Sequence, residues 1–431
     1  MSDKKLSTDS TPVLRVFVMS LLVTSAWAAP KEKVLHNFGN GADGDTPYST
    51  LISDATGNLY GTTLYGGGSM NCPVGCGTVF ELTPGTAGKW KEKVLYGFIG
   101  NGDGYYPQAG LIFDTSGNLY GTTFNGGTFN DCSDGCGTVF QLAPGAHGKW
   151  TEKVLHSFNA NGTDGTGPVD SLILDAAGNL YGTTWAGGRT GCSNGWGCGT
   201  VFQLAPGGGG TWTESVLYSF CPSGECTDGA TPFASLIFDG AGNLYGTTSA
   251  GGSPICSSGC GVVFRLTMNS GGTWTEKVLH SFGKGKDAAN PYASLVFDAH
   301  GNLYGTTYQG GTYNAGAVYQ LTPGVGGTWT EKVLHSFGKG TDGDNSYASL
   351  IFDRAGNLYG TTAGGGTLGA GTALKLSPGA GGKWNETVLH NFNQPGSAPE
   401  ASLIFDASGN LYGTTTGGGT YGVGTVFEIT P

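Results

Sequence analysis

Gly57-Asn58-Leu59-Tyr60-Gly61-Thr62-Thr63 is the first of seven copies of one heptapeptide, which begins again at Gly117, Gly178, Gly242, Gly301, Gly356 and Gly409. The intervals are 60, 61, 64, 59, 55 and 53 residues. A fixed phrase at such a period marks a repeat architecture, in which one supersecondary unit is stacked many times. Residues common to every copy are expected to serve the scaffold. Function is then sought between the copies.

Working outward from the fifth copy, the flanking residues divide into four strands. Ser294-Leu295-Val296-Phe297-Asp298 is a short apolar run, as expected of a strand buried on both faces. Ala299-His300-Gly301-Asn302 is a tight turn that Asp298 can cap. The heptapeptide supplies the second strand, Leu303 to Thr307, and Ala317-Val318-Tyr319-Gln320-Leu321 the third. After a Thr-Pro-Gly turn, residues 329–337 form a fourth strand with a charged outer portion. Apolar first and charged last is the order of a propeller blade read from axis to rim. Residues 402–431 stop after a third strand, while residues 31–38 are an orphan fourth strand. Joining them completes a seventh blade and removes two exposed sheet edges. The expectation is an all-β, seven-bladed propeller occupying residues 30–431 as one domain.

The 82 glycines and 18 prolines recur in register with apolar residues, which suits a turn-rich β protein. A net charge of −11, with 20 Lys and Arg in 431 residues and no basic cluster, argues against nucleic acid. Residues 1–29 lie outside the repeat. Lys4, Lys5 and Arg15 precede an apolar run at 16–23 and then Ala26-Trp27-Ala28-Ala29, the layout of a secretory signal peptide cleaved near Ala28 or Ala29. The run is too short for a stable membrane span. A secreted or periplasmic monomer follows. The ten cysteines fall into close pairs, Cys72/Cys76, Cys132/Cys136, Cys192/Cys198, Cys221/Cys226 and Cys256/Cys260. Disulfides explain them better than zinc, which wants four ligands gathered by one small fold. Loops this short gain only about 2 kcal/mol per bridge.

The Phe352-Asp353-x-x-Gly356-Asn357-Leu358-Tyr359-Gly360-Thr361-Thr362 core and the Gly137-Thr138-Val139-Phe140-x-Leu142 strand resemble the GloVer-type tandem repeat of secreted bacterial "choice-of-anchor" proteins. The resemblance covers nearly the whole chain after residue 29 and is specific as a repeat signature. It implies export, often with a C-terminal anchoring tail. Ending at Pro431 inside the last unit, this chain is not expected to carry such a tail. The resemblance implies no ligand and no reaction.

Chemistry is sparse. His36, His156, His280, His335 and His390 share one position in the fourth strand, where Tyr96 and Tyr218 stand in two units. Spread around the rim, they read as structural. Asp54, Asp114, Asp175, Asp239, Asp298, Asp353 and Asp406 precede the Gly-Asn turn and read as turn caps, because calcium needs six to eight oxygen ligands. Nucleophile elbow, zinc helix and phosphate loop are all missing, so no metal or cofactor is expected. The variable material lies in the four-to-one and two-to-three loops, which must emerge on one face because the strands alternate in direction. There stand Asp43, Asp45 and Tyr48, then Asp103, Tyr105 and Tyr106, then Asp164, Trp185 and Arg189. Asp228, Phe233, Tyr308, Asp342 and Tyr347 complete the candidates. Asp170, Glu225 and Glu400 depart from the repeat near the same face. This acidic, aromatic, disulfide-stapled face suits a carbohydrate or a protein partner, and a non-enzymatic binding module is the leading expectation. A lyase or hydrolase using acids near the central opening, or a structural envelope protein, are the alternatives.

Overall fold

The computed structural model of the protein describes residues 30–129, 131–188, 197–284, 286–393 and 396–431. Cys192, Arg189 and the leader at 1–29 lie outside the described residues. Seven antiparallel sheets make a seven-bladed propeller; in six of them the strands run in chain order from axis to rim, and in the seventh the outermost strand is the N-terminal one. In the first blade the strands are Ile52–Ser53, Leu59–Thr63, Thr78–Pro84 and Trp90–Gly97. The third blade gains a fifth strand, Gly165–Pro168, from its loop face. The ring closes as expected: Lys31–Asn37 pairs with Thr425–Thr430, from Lys31 opposite Thr430 to Asn37 opposite Thr425.

Each residue of the heptapeptide has a scaffold task. Gly57 sits at φ +85° with open space around it, where only the turn demands glycine. Asn58 donates to Asp54, whose Oδ1 also accepts the Thr56 and Asn58 N–H groups. Leu59 is in the core. Tyr60 donates to Asp54 and packs edge-on against Phe113 of the next blade, 5.1 Å between centroids. Gly61 leaves room for the Phe80 ring. The Thr62 hydroxyl donates across the blade junction to the Ala109 carbonyl at 3.0 Å, and that of Thr63 meets the Thr78 hydroxyl at 2.8 Å. One turn within the blade and the contacts across to its neighbour are therefore written in seven letters.

The core lies between blades rather than inside them. Tyr60, Val79, Leu95 and Phe98 of the first blade cluster with Leu111, Leu119, Phe140 and Leu142 of the second. Tryptophans that open the fourth strands reach backward around the ring, as Trp90 does to Tyr412 at 6.1 Å and Trp212 to Tyr120 at 6.1 Å. The first strand is shorter than expected, Val296–Phe297 rather than 294–298. Residues ahead of it spend their polar groups on neighbouring blades instead: Ser294 N–H donates to Ser349 Oγ at 2.9 Å. Apolar and extended, that segment lines the axis rather than adding to its own sheet.

Candidate functional site

Both variable loops do emerge on one face. Short pairings tie them together blade by blade, for example Ala288–Ala289 with Gln309–Gly310 and Gly343–Asp344 with Gly364–Gly365, or single bridges such as Asp45 to Tyr65 and Ala230 to Ala250. Disulfides Cys72–Cys76, Cys132–Cys136, Cys221–Cys226 and Cys256–Cys260 are present on this face. The partner of Cys198 falls outside the described residues.

The loop acids turn outward, into the junctions at the rim. Asp43, Asp103, Asp164 and Asp342 are buried. Their carboxylates bond His36 at 3.2 Å, Tyr96 at 2.8 Å, His156 at 3.2 Å and His335 at 2.9 Å, and Tyr218 donates to Asp228 at 2.7 Å. Asp287, which the sequence reading passed over, does the same for His280. A bulge in every fourth strand, such as the shift between Val79 and Phe80, changes the side-chain alternation just before this position. Four of the five histidines thus have the structural role expected of them; Asp43, Asp164 and Asp342 are the partners of three, Asp287 of the fourth, and Asp103 and Asp228 serve Tyr96 and Tyr218 at the same position. Asp45 lies on the loop face, where its carboxylate accepts from the adjacent Thr46 hydroxyl.

A third group joins six of the seven junctions. Glu92, Glu152, Glu214, Glu276, Glu331 and Glu386 come from the fourth strand of the following blade, each with a buried Oε1 that has no hydrogen-bond partner among the described residues. Burial, then the adjacent Asp, pushes their carboxyls up to about 7, and to about 8 at Glu276 and Glu331. At the seven turn aspartates burial also acts upward, but hydrogen bonds from Asn side chains and backbone outweigh it and hold those carboxyls low. The two sets oppose each other. A raised carboxyl takes up a proton on folding, so its contribution is lost as pH climbs from about 4.5 through its folded value; a lowered one loses its contribution as pH drops below about 4. His36 and His390, held low by burial, favour neutral pH but number two against seven fourth-strand glutamates, since burial raises Glu32 of the closing strand as well. The melting temperature should therefore be highest near pH 5 and fall by several degrees toward pH 8. Glu276→Gln should raise it at pH 8 and leave it nearly unchanged at pH 5; thermal scans across that range are the measurement.

What remains of the candidate residues gathers at the axis. A cavity of about 390 Å³ opens at the loop-face end of the central channel. The residue just ahead of each inner segment enters it: Tyr48, Gln108, Val169, Phe233, Tyr292, Tyr347 and Glu400, one per blade. Two residues further on, Thr50, Gly110, Ser171, Ser235, Ser294, Ser349 and Ser402 form a deeper ring of small side chains, since alternate residues of an extended chain share a face. The Ser ring is internally bonded, with Ser349 N–H on Ser402 Oγ at 2.8 Å and Ser402 N–H on Thr50 Oγ1 at 3.2 Å.

From this mouth an arc of rings runs over successive blades. Phe124 stacks on Trp185 (6.1 Å, 27°) and Trp185 on Phe233 (6.5 Å, 30°). Phe233 meets Tyr292 at 5.2 Å, Tyr292 meets Tyr347 at 5.3 Å, and Tyr347 meets Tyr308 at 4.8 Å. A groove of about 710 Å³ adjoins the arc, lined by Trp185, Phe233, Tyr292 and Tyr308 together with Cys226, Cys256, Ser249 and Asn290. The structure thus brings Tyr48, Trp185, Phe233, Tyr308 and Tyr347 into one region. Tyr105 and Tyr106 form a separate cluster with Tyr65, 5.2 Å from Tyr106. Tyr292 and Phe124 were missed as site residues. Aligning the repeat would have found Tyr292, which occupies the position of Tyr48 and Tyr347.

With the geometry in place, relatives can be compared. The sequence pattern of the Gloeobacter/Verrucomicrobia repeat matches residues 64–296 and 255–431, most of the chain. The chain belongs to the Gloeobacter/Verrucomicrobia repeat family. Among curated proteins, none matches it. Of solved structures, this member of the repeat family is similar to a fungal alcohol oxidase of the AA5 family in complex with copper. The TM-score is 0.52 at 16% identity, covering 94% of this chain and 77% of that one. At that identity the likeness concerns the fold. No helix among the described residues of the repeat protein is long and apolar enough to cross a membrane.

Proposed function

We propose that this repeat protein is an exported, non-enzymatic binding module that takes a carbohydrate at the loop-face mouth of its central channel. The observation that carries the reading is the aromatic arc from Phe124 through Trp185, Phe233 and Tyr292 to Tyr347 and Tyr308. Flat apolar rings beside hydroxyls, an amide and carboxylates match a sugar, whose C–H faces stack while its hydroxyls need polar partners. The rings sit on loop segments fixed by a rigid scaffold, where binding residues are usually carried. Export is supported by the bridged loops, which persist in oxidising compartments, and by the leader at 1–29.

The AA5 likeness carries no oxidase reading here. Copper favours imidazole and thiolate ligands, and the polar side chains among the described residues lining the mouth are those of tyrosines, serines, Thr50, Gln108 and two carboxylic acids, with no histidine or cysteine.

Titration of soluble oligosaccharides, followed by tryptophan fluorescence and calorimetry, tests the proposal. Binding is expected, with Trp185→Ala weakening it at least about tenfold, the loss of a buried aromatic anchor. Absence of binding to any sugar sinks the reading. Cleavage of a bound sugar over hours would replace it with the hydrolase or lyase alternative, for which Asp170 and Glu400 stand in the cavity.

A further inference from the structure

Asp170 breaks the repeat at a position that is otherwise held by small residues. In the other blades this position is Ser49, Ala109, Ala234, Ala293, Ala348 or Ala401, and its carbonyl accepts the first heptapeptide Thr of the preceding blade. Thr122, which faces the Asp170 unit, is the heptapeptide threonine whose buried hydroxyl has no partner among the described residues. The scaffold has given up a bond there. Such local violations of an otherwise uniform pattern are expected where function intrudes.

The Asp170 side chain lines the central cavity, where its carboxylate accepts the Ser171 and Ser235 N–H groups at 2.6 Å each and the Ser294 hydroxyl at 3.3 Å. Glu400 enters the same cavity at the position that Tyr48, Phe233, Tyr292 and Tyr347 hold in other blades, and the Tyr48 hydroxyl lies within reach of both its charge and that of Asp170. Burial pushes both acids upward, and the bonds they accept only partly offset it. No Lys, Arg or His is among the described residues that line the cavity. Two acids are thus held in one cavity with no cationic side chain among its described lining, beside Tyr48, Phe233, Tyr292 and Tyr347. Desolvated anions of this kind are costly until a cation joins them, and aromatic walls attract the same cations through their ring quadrupoles.

We infer that the central cavity selects a protonated amine, so that the carbohydrate bound at the mouth is an amino sugar with a free ammonium group, held between the Asp170 and Glu400 carboxylates and the surrounding tyrosines. The inference rests on the carbohydrate reading and narrows it to a ligand class. Asp170 and Glu400 supply the charge, Trp185 and Phe233 the stacking surface outside it. The overall net charge of −11 favours approach of the same ligands.

Calorimetric titration with glucosamine oligosaccharides, their N-acetylated counterparts and glucose oligosaccharides of equal length, near neutral pH, tests this. Methylammonium serves as a sugar-free probe. The free amines should bind at least about tenfold more tightly than the acetylated and neutral sugars, consistent with one desolvated cation–π and ion-pair site. Asp170→Asn and Glu400→Gln should each erase that preference, while Trp185→Ala should weaken all sugars alike. Two independent variants are used because Asp170→Asn also alters bonds within the ring; its melting temperature is read alongside.

Equal or tighter binding of the acetylated sugars overturns the inference and leaves the carbohydrate reading standing. Methylammonium binding that is lost in either variant, with no sugar bound, keeps the cation site and overturns the carbohydrate reading. If neither amines nor sugars bind, both fall.

Discussion

Deleting residues 30–38 should abolish the cooperative unfolding of the whole ring, not trim one blade. The segment supplies the outer strand of the seventh blade, paired along its length with Thr425–Thr430. Its last residue does more. Phe38 is 0% exposed and packs 5.0 Å from Phe80, in a cluster that joins Leu51, Leu59 and Leu82 of the first blade to Tyr412 and Val426 of the last. Phe38 N–H also bonds the Gly424 carbonyl at 3.1 Å. Phe38→Ala alone should cost about 3–5 kcal/mol, a large share of the roughly 5–15 kcal/mol that holds a native protein folded. Deletion removes that ring and the strand together and exposes a long edge that invites aggregation. Thermal melting by circular dichroism, with size-exclusion chromatography, is the measurement. A truncated protein that stays monomeric and melts within a few degrees of the intact chain would show that the ring does not depend on this closure.

The second large effect separates two glycines of one heptapeptide. Gly182→Ala places a Cβ 2.6 Å from Phe202 Cζ and 2.9 Å from Leu172 Cδ2. Both neighbours are fully enclosed, at 0% and 1% exposure, so neither can step aside. Overpacking of this sort costs about 1–3 kcal/mol, and the upper end is expected here. Gly178→Ala is different: its φ is +85° and the nearest atom to a new Cβ is Pro206 Cγ at 3.8 Å. The cost there is backbone strain alone, about 1–2 kcal/mol, and Gly178→Asn should recover part of it because Asn tolerates that region. Urea melts of the three variants decide the matter. If Gly182→Ala proves as stable as Gly178→Asn, the close approach of Phe202 is not what requires glycine in the second strand.

Nearly all of the scaffold was legible beforehand. Seven copies of one phrase, the half-units at the two ends and the common position of the histidines led to seven blades, to the closing strand and to a structural role for the imidazoles. Each of these depends on interactions short in sequence or repeated in register, and periodicity reports such interactions directly. The site was legible only in part. Tyr48, Trp185, Phe233, Tyr308 and Tyr347 could be named as variable aromatics on one face, but Asp43, Asp103, Asp164, Asp228 and Asp342 looked equally available in the same loops.

The sequence by itself determined the architecture, because a heptapeptide whose side chains, the Thr122 hydroxyl excepted, find partners within their own blade or the next allows one arrangement of strands. The tertiary structure alone decided which loop residues are free. A bulged fourth strand turns five of the loop acids outward onto His and Tyr, while Tyr48, Asp170, Phe233, Tyr292, Tyr347 and Glu400 of separate blades, distant along the chain, converge on one axis. Convergence of that kind comes from ring closure. No local pattern encodes it, so Asp170, Glu400 and Tyr292 share one cavity only once seven blades are drawn into a circle.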